Sequence, residues 1–333
     1  QRNRDTLVHA PSPAARVVTA VLTGVVNDGL ARHRVTDPAV AALYARTLTA
    51  AALLSAFHKD EERVMVQLVD EGAGCAVSRL YAEAMAVGEI RGYATWAPDV
   101  VASSPAWRGT LNPATTSLSV TRVLYGAATP YQSPTRAVAG DVTSDLQHHF
   151  EASEQVPSVV RLFTEPASAA TSGSAARVSY AGGLLVQRVA STGGHAVAGD
   201  TPINSSSWEE VARRAADPDL DLAAAAGRGD LLQDVIRTRL LPELVDADVM
   251  DKDVFRRVPL AFHCRCSKAR FLASMRNFSA AVRADYAAQA VSAPPDQPLA
   301  MTCQFCASNY PLTVADFSDA AAEAAAAATA PLK

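Results

Sequence analysis

Four of the five cysteines in this sequence lie in two close pairs near its C-terminal end, and these residues have the clearest chemical capacity. Cys264 and Cys266 form a CxC pair, and Cys303 and Cys306 form a CxxC pair after 36 intervening residues. Four thiolates can bind one tetrahedral metal ion, for which Zn²⁺ is the leading candidate. The same four thiols can equally form two short disulfides. A site able to do both is a candidate redox switch.

The residues allow two interpretations of this site. In the first, the cysteines hold a structural zinc ion that folds a small module and has no regulatory role. In the second, oxidants attack the zinc-bound thiolates, neighbouring sulfurs join, and the metal is lost together with the energy that folded the module. A disulfide between residues i and i+2 is strained, so its formation would distort the backbone.

Other reactive residues give weaker signals. His263 adjoins Cys264, but four cysteines already complete a site, so we do not expect His263 to be a ligand. Cys75 stands alone beside a predicted strand and is expected to be a buried, inert thiol. His195 lies in a Gly- and Ser-rich segment and is expected to be solvated.

The sequence has no GxSxG, no P-loop and no strand-to-helix GxGxxG motif, so no enzyme is predicted. The CxxC lies outside a βαβ context, which argues against a thiol oxidoreductase.

The bulk composition is that of a globular chain. Its 333 residues are 49% apolar and 19% charged, enough for a large core and two or three units. The net charge of -4 and the pI near 6.0 give no general attraction to nucleic acid or to anionic membranes. No apolar run long enough to span a bilayer is expected. The chain begins at Gln1, so it is interpreted as trimmed, and a removed transit peptide stays open.

Upstream of the cysteines, the pattern predicts an α+β domain over residues 1–190. Asp37 and Pro38 supply an N-cap acceptor and a first-turn proline, so a helix is predicted from there to about Phe57. A second helix is predicted from Asp141 to about Ser153. Strands are predicted at 63–69, 76–81, 90–95, 117–124 and 184–189. Because several strands precede one helix, a mixed or antiparallel sheet packed against helices is favoured over a doubly wound parallel sheet.

A helical linker is predicted over residues 191–258. It opens with a Ser-, Thr- and Gly-rich boundary, and 20 of the 58 residues in 201–258 are charged. Ser207 and Glu210 fit a capping box at a helix start. The apolar residues are too few for a core of their own, so the linker is predicted to be short helices of low stability lying on another surface. An ordinary helical subdomain is the alternative.

The cysteine module is predicted over residues 259–318, with Ser267 capping a helix through about Val282 and a loop at Ser292–Pro298. The Ala-rich tail 319–333 carries no chemical signal. A nucleic-acid adaptor built on a zinc ribbon is the alternative function, because basic residues cluster near the first cysteine pair, although such a cluster is more often a solvated face. These residues are Arg256, Arg257, Arg265, Lys268 and Arg270.

Several segments, taken in order over residues 5–318, resemble the redox-regulated 33-kDa heat-shock chaperone (33 kDa chaperonin) family. The four cysteines match its CxC and CxxC pairs, with Asn309-Tyr310 shortly after. The other matching segments are Val64–Leu68 (its VQLQGDGP), Ile90–Ala94 (RGYA), Phe150–Pro157 (YFxxSEQxP) and Gly182–Gln187 (GGxLLQ). Three features depart from the family: the long gap between the cysteine pairs, an altered turn near Cys75, and an insertion around Ser168–Ala176, expected to be a hairpin loop.

The resemblance implies an ATP-independent holdase that keeps unfolding proteins from aggregating under oxidative or oxidative-heat stress. It implies an inactive monomer whose cysteines Cys264, Cys266, Cys303 and Cys306 hold one Zn²⁺. Hypochlorite, or peroxide with heat, would form the disulfides Cys264–Cys266 and Cys303–Cys306, release zinc and unfold the module and linker. The linker and the domain of residues 1–190 would then bind unfolded clients, and the active form would dimerise. The expected location is the cytoplasm, with an organelle left open, and no membrane or nucleic-acid partner is expected.

Overall fold

The structure is a computed structural model that describes residues 5–103, 107, 109–127, 129–167, 174–189, 207–246 and 255–317. It forms two compact units, Gln1–His263 and Cys264–Lys333. Several expectations fall outside the described residues: the whole boundary at 190–206 with His195, most of the insertion around 168–176, and the tail 319–333.

Two β-sheets form the framework of the first unit. In chain order, the strands are β1 (Thr6–Pro11), β2 (Ala15–Val21), β3 (Arg63–Asp70), β4 (Val77–Met85), β5 (Glu89–Trp96), β6 (Thr116–Val123), β7 (Tyr131–Arg136), β8 (Ser158–Pro166), β9 (Val178–Arg188), β10 (Arg256–Pro259) and β11 (Ala261–Phe262). The first sheet, β10-β1-β2-β9-β8, is antiparallel throughout. The second, β11-β5-β4-β3-β6-β7, is antiparallel except for the β11–β5 pair. The predicted α+β class is confirmed, with two large sheets where one was expected.

A long apolar helix packs between strands of both sheets. Helices α1 (Thr23–His33) and α2 (Pro38–Ser55) follow β2. The start of α2 is as predicted, because the Asp37 carboxylate accepts hydrogen bonds from the N–H groups of Ala39 and Val40 at 2.9 Å. Contrary to expectation, α2 is long and apolar enough to cross a membrane, but 78% of it is buried. The core helix of a globular protein can have the same length and apolar composition, and α2 packs against β3, β4, β8 and β9 as a core helix does.

The second predicted helix has a widened last turn. Helix α3 (Pro98–Ser103) lies between β5 and β6. Helix α4 (Val142–His149) follows β7 and continues into a π-helical turn, Phe150–Glu154. Asp141 caps α4 through the Ser144 N–H, as the predicted helix start requires. The π turn brings the Glu154 carboxylate within 3.5 Å of the buried His149 ring and within 3.0 Å of the Arg122 guanidinium.

The described part of the linker folds as short helices on the five-stranded sheet. They are α5 (Trp208–Ala216), α6 (Leu222–Arg228), α7 (Leu232–Val235) with a π turn (Ile236–Leu240), and α8 (Glu243–Asp246). The capping box at Ser207 and Glu210 is confirmed. One face of the sheet, including Val8, Val17 and Leu184, shares an apolar core with the linker, whereas the alternate residues belong to the core around α2. The linker contributes Val211, Ala215, Leu222, Ile236 and Leu240 to that shared core. Its apolar side chains are therefore buried against another surface, as predicted.

The chain after the linker returns to both sheets of the first unit. Strand β10 pairs with β1, with Arg256 opposite His9, and β11 runs parallel to β5, with Ala261 opposite Glu89. Residues 259–263, which the sequence pattern assigns to the cysteine module, therefore lie in the first unit.

The second unit is small and has few buried side chains. Its elements are α9 (Lys268–Met275), α10 (Ala280–Ser292), β12 (Ala300–Thr302), β13 (Asn309–Pro311) and a 3₁₀ turn (Val314–Phe317). Ser267 caps α9 as predicted, but the expected extension to Val282 is wrong, because α9 ends at Met275 and Ser279 caps a new helix. Among the described residues of this unit, the buried ones are Met275, Cys303, Cys306 and Leu312.

Candidate metal centre

The two cysteine pairs converge in the second unit. Cys264 and Cys266 precede α9, and Cys303 and Cys306 occupy the turn between β12 and β13. All four sulfurs lie within 4.8 Å of one another. The sulfurs of Cys264 and Cys303 are 3.7 Å apart, and those of Cys266 and Cys306 are 3.3 Å apart.

A tight turn presents the CxxC sulfurs. Strands β12 and β13 pair with Thr302 opposite Asn309, so the chain must reverse between them. The Ala307 N–H donates to the Cys303 carbonyl at 2.8 Å, and the Cys303 N–H donates to the Ser308 carbonyl at 2.9 Å. Ala307 has φ of +56°, a conformation that is costly for a residue with a side chain and that the turn imposes. The predicted knuckle at Cys303–Cys306 is confirmed.

The arrangement fits a tetrahedral metal ion. Sulfurs at about 2.3 Å from a zinc ion are about 3.8 Å apart along each edge of a tetrahedron. The observed separations of 3.3 Å, 3.7 Å and at most 4.8 Å lie around that value. Four soft thiolate donors also suit zinc better than hard cations. The four cysteines can therefore hold a metal ion.

Hydroxyl groups lie against two of the sulfurs. Ser308 Oγ is 3.2 Å from Cys306 Sγ, and the Tyr310 hydroxyl is 3.1 Å from Cys266 Sγ. Burial raises the pKa of the Cys306 thiol, but contacts with the Ser308 hydroxyl and N–H and with the sulfurs of Cys266 and Cys303 outweigh it and lower that pKa overall. Burial dominates at Cys266 and raises the pKa of its thiol. The neighbouring Cys266 sulfur raises the pKa of Tyr310 to about 12, so its hydroxyl keeps its proton and can donate it.

These hydroxyls were not predicted as parts of the site. Asn309-Tyr310 entered the sequence argument only as a mark of resemblance, and Ser308 did not enter it. The available signal was position: the serine and the tyrosine follow Cys306 by two and four residues, at the start of a strand that leaves the knuckle.

The remaining candidate residues lie elsewhere. His263 belongs to the first unit, where its N–H donates to the Ile90 carbonyl at 2.9 Å. Cys75 is partly exposed rather than buried, with its sulfur 3.6 Å from the Asp70 carbonyl oxygen. Desolvation and then the Asp70 carboxylate raise the pKa of the Cys75 thiol, so it stays protonated.

The basic cluster is divided between the two units. Arg256 and Arg257 lie in β10 of the first unit, whereas Lys268 and Arg270 belong to the second. Lys268 forms a 2.7 Å ion pair with Asp316, and Arg270 donates to the Arg265 carbonyl. These contacts indicate local structural roles for Lys268 and Arg270.

Comparisons with known proteins decide the family. The profile of the Hsp33 protein family matches residues 5–313 of this chain. The chain belongs to the Hsp33 family. Among curated relatives, it is 27% identical over 298 residues to the 33 kDa chaperonin of Syntrophotalea carbinolica, covering 88% of this chain and 90% of that protein. It is 28% identical over 313 residues to the 33 kDa chaperonin of Gloeobacter violaceus, covering 92% of each.

A solved structure supports the fold of this Hsp33-family chain. The crystal structure of the 33 kDa chaperonin (Heat shock protein 33 homolog) from Thermotoga maritima matches with a TM-score of 0.68 at 18% identity, covering 94% of this chain and 96% of that one. The members of the Hsp33 family are named chaperonins and not enzymes, and this chain is a chaperone of that family.

Proposed function

We propose that this chain is a redox-regulated, ATP-independent holdase that binds unfolding proteins and prevents their aggregation during oxidative or oxidative-heat stress. In the inactive state, Cys264, Cys266, Cys303 and Cys306 hold one Zn²⁺. The observation that carries the proposal is the convergence of these four sulfurs within 4.8 Å in a unit with little other buried apolar surface. A metal at that point would supply the energy that the small core lacks.

Oxidation is proposed to remove the metal by converting its ligands. A thiolate attacks one oxygen of a peroxide, giving a sulfenic acid and a hydroxide ion. A second thiolate attacks the sulfenic sulfur, forms the disulfide and releases another hydroxide. The formation of each disulfide thus transfers two electrons from two sulfurs to one peroxide molecule. The family resemblance supports the pairs Cys264–Cys266 and Cys303–Cys306, and all four sulfurs lie close enough together for either pair to form after a small movement.

In the inactive state, the proposed client-binding surfaces are the apolar side of the linker and the sheet face that it covers. The linker helices bury apolar side chains against the five-stranded sheet, and Ile236, Leu240 and Leu241 are fully buried there. Their undocking would expose apolar surface on the linker and on the face of β1, β2 and β9. Exposed surface of this kind suits unfolded clients. The active form is proposed to dimerise, and the reducing cytoplasm is the proposed location, because it keeps the thiols reduced.

The deciding experiment follows client aggregation and zinc release together. Light scattering of a heat-unfolded client is recorded with reduced, zinc-loaded protein and with protein treated with peroxide at raised temperature, while a chelating dye reports free zinc. We expect protection only after oxidation, with one zinc released and four thiols lost. Peptide mapping would identify the disulfides. Equal protection in both states, with zinc retained, would overturn the proposal.

A further inference from the structure

The side chain of Tyr310 is fixed against one sulfur of the site. Its hydroxyl oxygen lies 3.1 Å from Cys266 Sγ and 3.2 Å from the Cys266 carbonyl oxygen. The ring packs against Phe271 with centroids 5.3 Å apart, and the backbone pairs with Met301 in the small sheet. The hydroxyl is therefore held at two points of the same cysteine.

One hydroxyl proton serves these two acceptors, so the state of the sulfur decides which receives it. An ionised sulfur is the stronger acceptor, and the hydroxyl then donates to Sγ. A disulfide-bonded sulfur is a weak acceptor, and the hydroxyl then donates to the Cys266 carbonyl. The hydrogen bond to sulfur thus forms when Cys266 is a thiolate, as it must be to bind a metal.

We infer that Tyr310 is a positioning residue that strengthens metal binding by the Cys266 thiolate and slows the reaction of that thiolate with oxidants. This inference rests on the proposed function. The lone pair that attacks a peroxide oxygen belongs to the sulfur that the hydroxyl contacts. A donor that withdraws charge from this sulfur makes it a poorer nucleophile. Groups that hydrogen-bond to a metal ligand also hold that ligand in the orientation that metal binding needs.

Cys266 differs here from the two cysteines of the knuckle. The backbone N–H groups of Phe305 and Cys306 contact the Cys303 sulfur, and the Ser308 N–H contacts the Cys306 sulfur. No side-chain substitution removes these donors. At Cys266, the corresponding donor is a tyrosine hydroxyl, which a single substitution removes.

The test compares Tyr310→Phe with Tyr286→Phe. The first variant deletes the hydroxyl and keeps the ring on Phe271. The second deletes a hydroxyl in the same unit from a ring that stacks on Phe278 and Phe317. In Co²⁺-loaded protein, Tyr310→Phe should move the sulfur-to-cobalt charge-transfer band to longer wavelength. Its zinc affinity should fall about tenfold, and its peroxide-driven zinc release should be severalfold faster. Tyr286→Phe should match the wild type.

Two further variants distinguish an effect of the Tyr310 hydroxyl on the Cys266 sulfur from an effect on folding. Ser308→Ala should have a smaller effect than Tyr310→Phe, because the Ser308 N–H still reaches Cys306. A 3-fluorotyrosine at position 310 is a stronger donor, so it should shift the band to shorter wavelength and slow zinc release, which a purely structural role would not produce. Wild-type bands and release rates in both position-310 variants would overturn the inference alone. Wild-type protein that fails to bind cobalt through four thiols would instead overturn the proposed function.

Discussion

Arg161, on strand β8 of the five-stranded sheet, donates a hydrogen bond at 2.5 Å to the backbone carbonyl of Asp217, the residue that ends helix α5 of the linker. The same guanidinium lies 3.5 Å from the Ala215 carbonyl. The last carbonyls of a helix lack hydrogen-bond partners within the helix and carry partial negative charge. A cationic donor there satisfies these carbonyls and is attracted to their charge. Arg161 therefore attaches the first linker helix to the sheet by a polar contact beside the apolar core.

Replacing Arg161 should loosen the linker selectively. Arg161→Gln removes a charged donor from partly buried helix carbonyls, and hydrogen bonds to charged groups contribute about 1.5–3 kcal/mol. We expect faster amide hydrogen exchange in α5 and α6, with β3 and β4 unchanged. Arg79→Gln, at an exposed position of β4, is the matched control and should leave exchange in the linker as in the wild type. Equal protection of α5 in both variants would show that the contact does not hold the linker.

The apolar contact between the linker and the five-stranded sheet should contribute more to linker docking than the Arg161 hydrogen bond. Leu240 is fully buried between linker and sheet, so Leu240→Ala should cost about 2–5 kcal/mol. In reduced, zinc-loaded protein, we expect faster tryptic cleavage at the arginines of residues 207–246. If the proposed function holds, the variant should also bind clients without oxidant. Leu231→Ala is the control, because Leu231 is 56% exposed. Slow cleavage of Leu240→Ala would contradict the view that this core keeps the linker docked.

Local signals explain what the sequence predicted. The start of α2 depends on Asp37 and Pro38, which act within one turn, and the capping box at Ser207 depends on residues three apart. Strand β3 alternates buried and half-buried residues along its length, a pattern visible in the sequence. The cysteine site was predictable because its CxC and CxxC pairs have the ligand types and the spacing of a metal site.

What the sequence did not predict depends on partners far away along the chain. Strands β10 and β11 are four and two residues long, and their partners β1 and β5 lie far upstream, so no periodicity marks them. The break after Met275 was missed because Ala-rich sequence favours helix on both sides of it, and only the cap at Ser279 marks the new start. The contact between Tyr310 and Cys266 depends on the register of β12 and β13 and has no local pattern.

The half-buried carboxylate of Glu154 should make the free energy of unfolding depend on pH. Contacts with His149 and then with Arg122 hold the pKa of Glu154 below its usual range, against the desolvation that raises it. Because the pKa is lower in the folded state, the carboxylate stabilises the fold above the ordinary glutamate pKa, and this contribution is lost as the pH falls through the lowered value. Glu154→Gln should therefore lower the free energy of unfolding by about 2 kcal/mol at pH 7 and by less in acid.

Urea unfolding at several pH values measures the Glu154 effect. Glu151→Gln, on the exposed side of the same turn, is the control and should change stability little at any pH. A stability difference between wild type and Glu154→Gln that stays constant from pH 7 to pH 3 would show that ionisation of this carboxylate does not contribute.

Metal removal should unfold the second unit and spare β3, β4 and α2 of the first. Among its described residues, only Met275 and Leu312 are buried apolar side chains besides two of the cysteines, so little apolar burial opposes the chain entropy. A structural zinc ion contributes about 10–16 kcal/mol of binding free energy, which would be lost with a chelator under reducing conditions. We expect amide protection to disappear over 264–317 while β3, β4 and α2 keep theirs. Cys303→Ser should reproduce this loss without chelator, and Cys75→Ser should behave as the wild type, because Cys75 lies in the first unit. Undiminished protection of 264–317 in metal-free, reduced protein would mean that the unit folds through contacts other than those of the four thiolates.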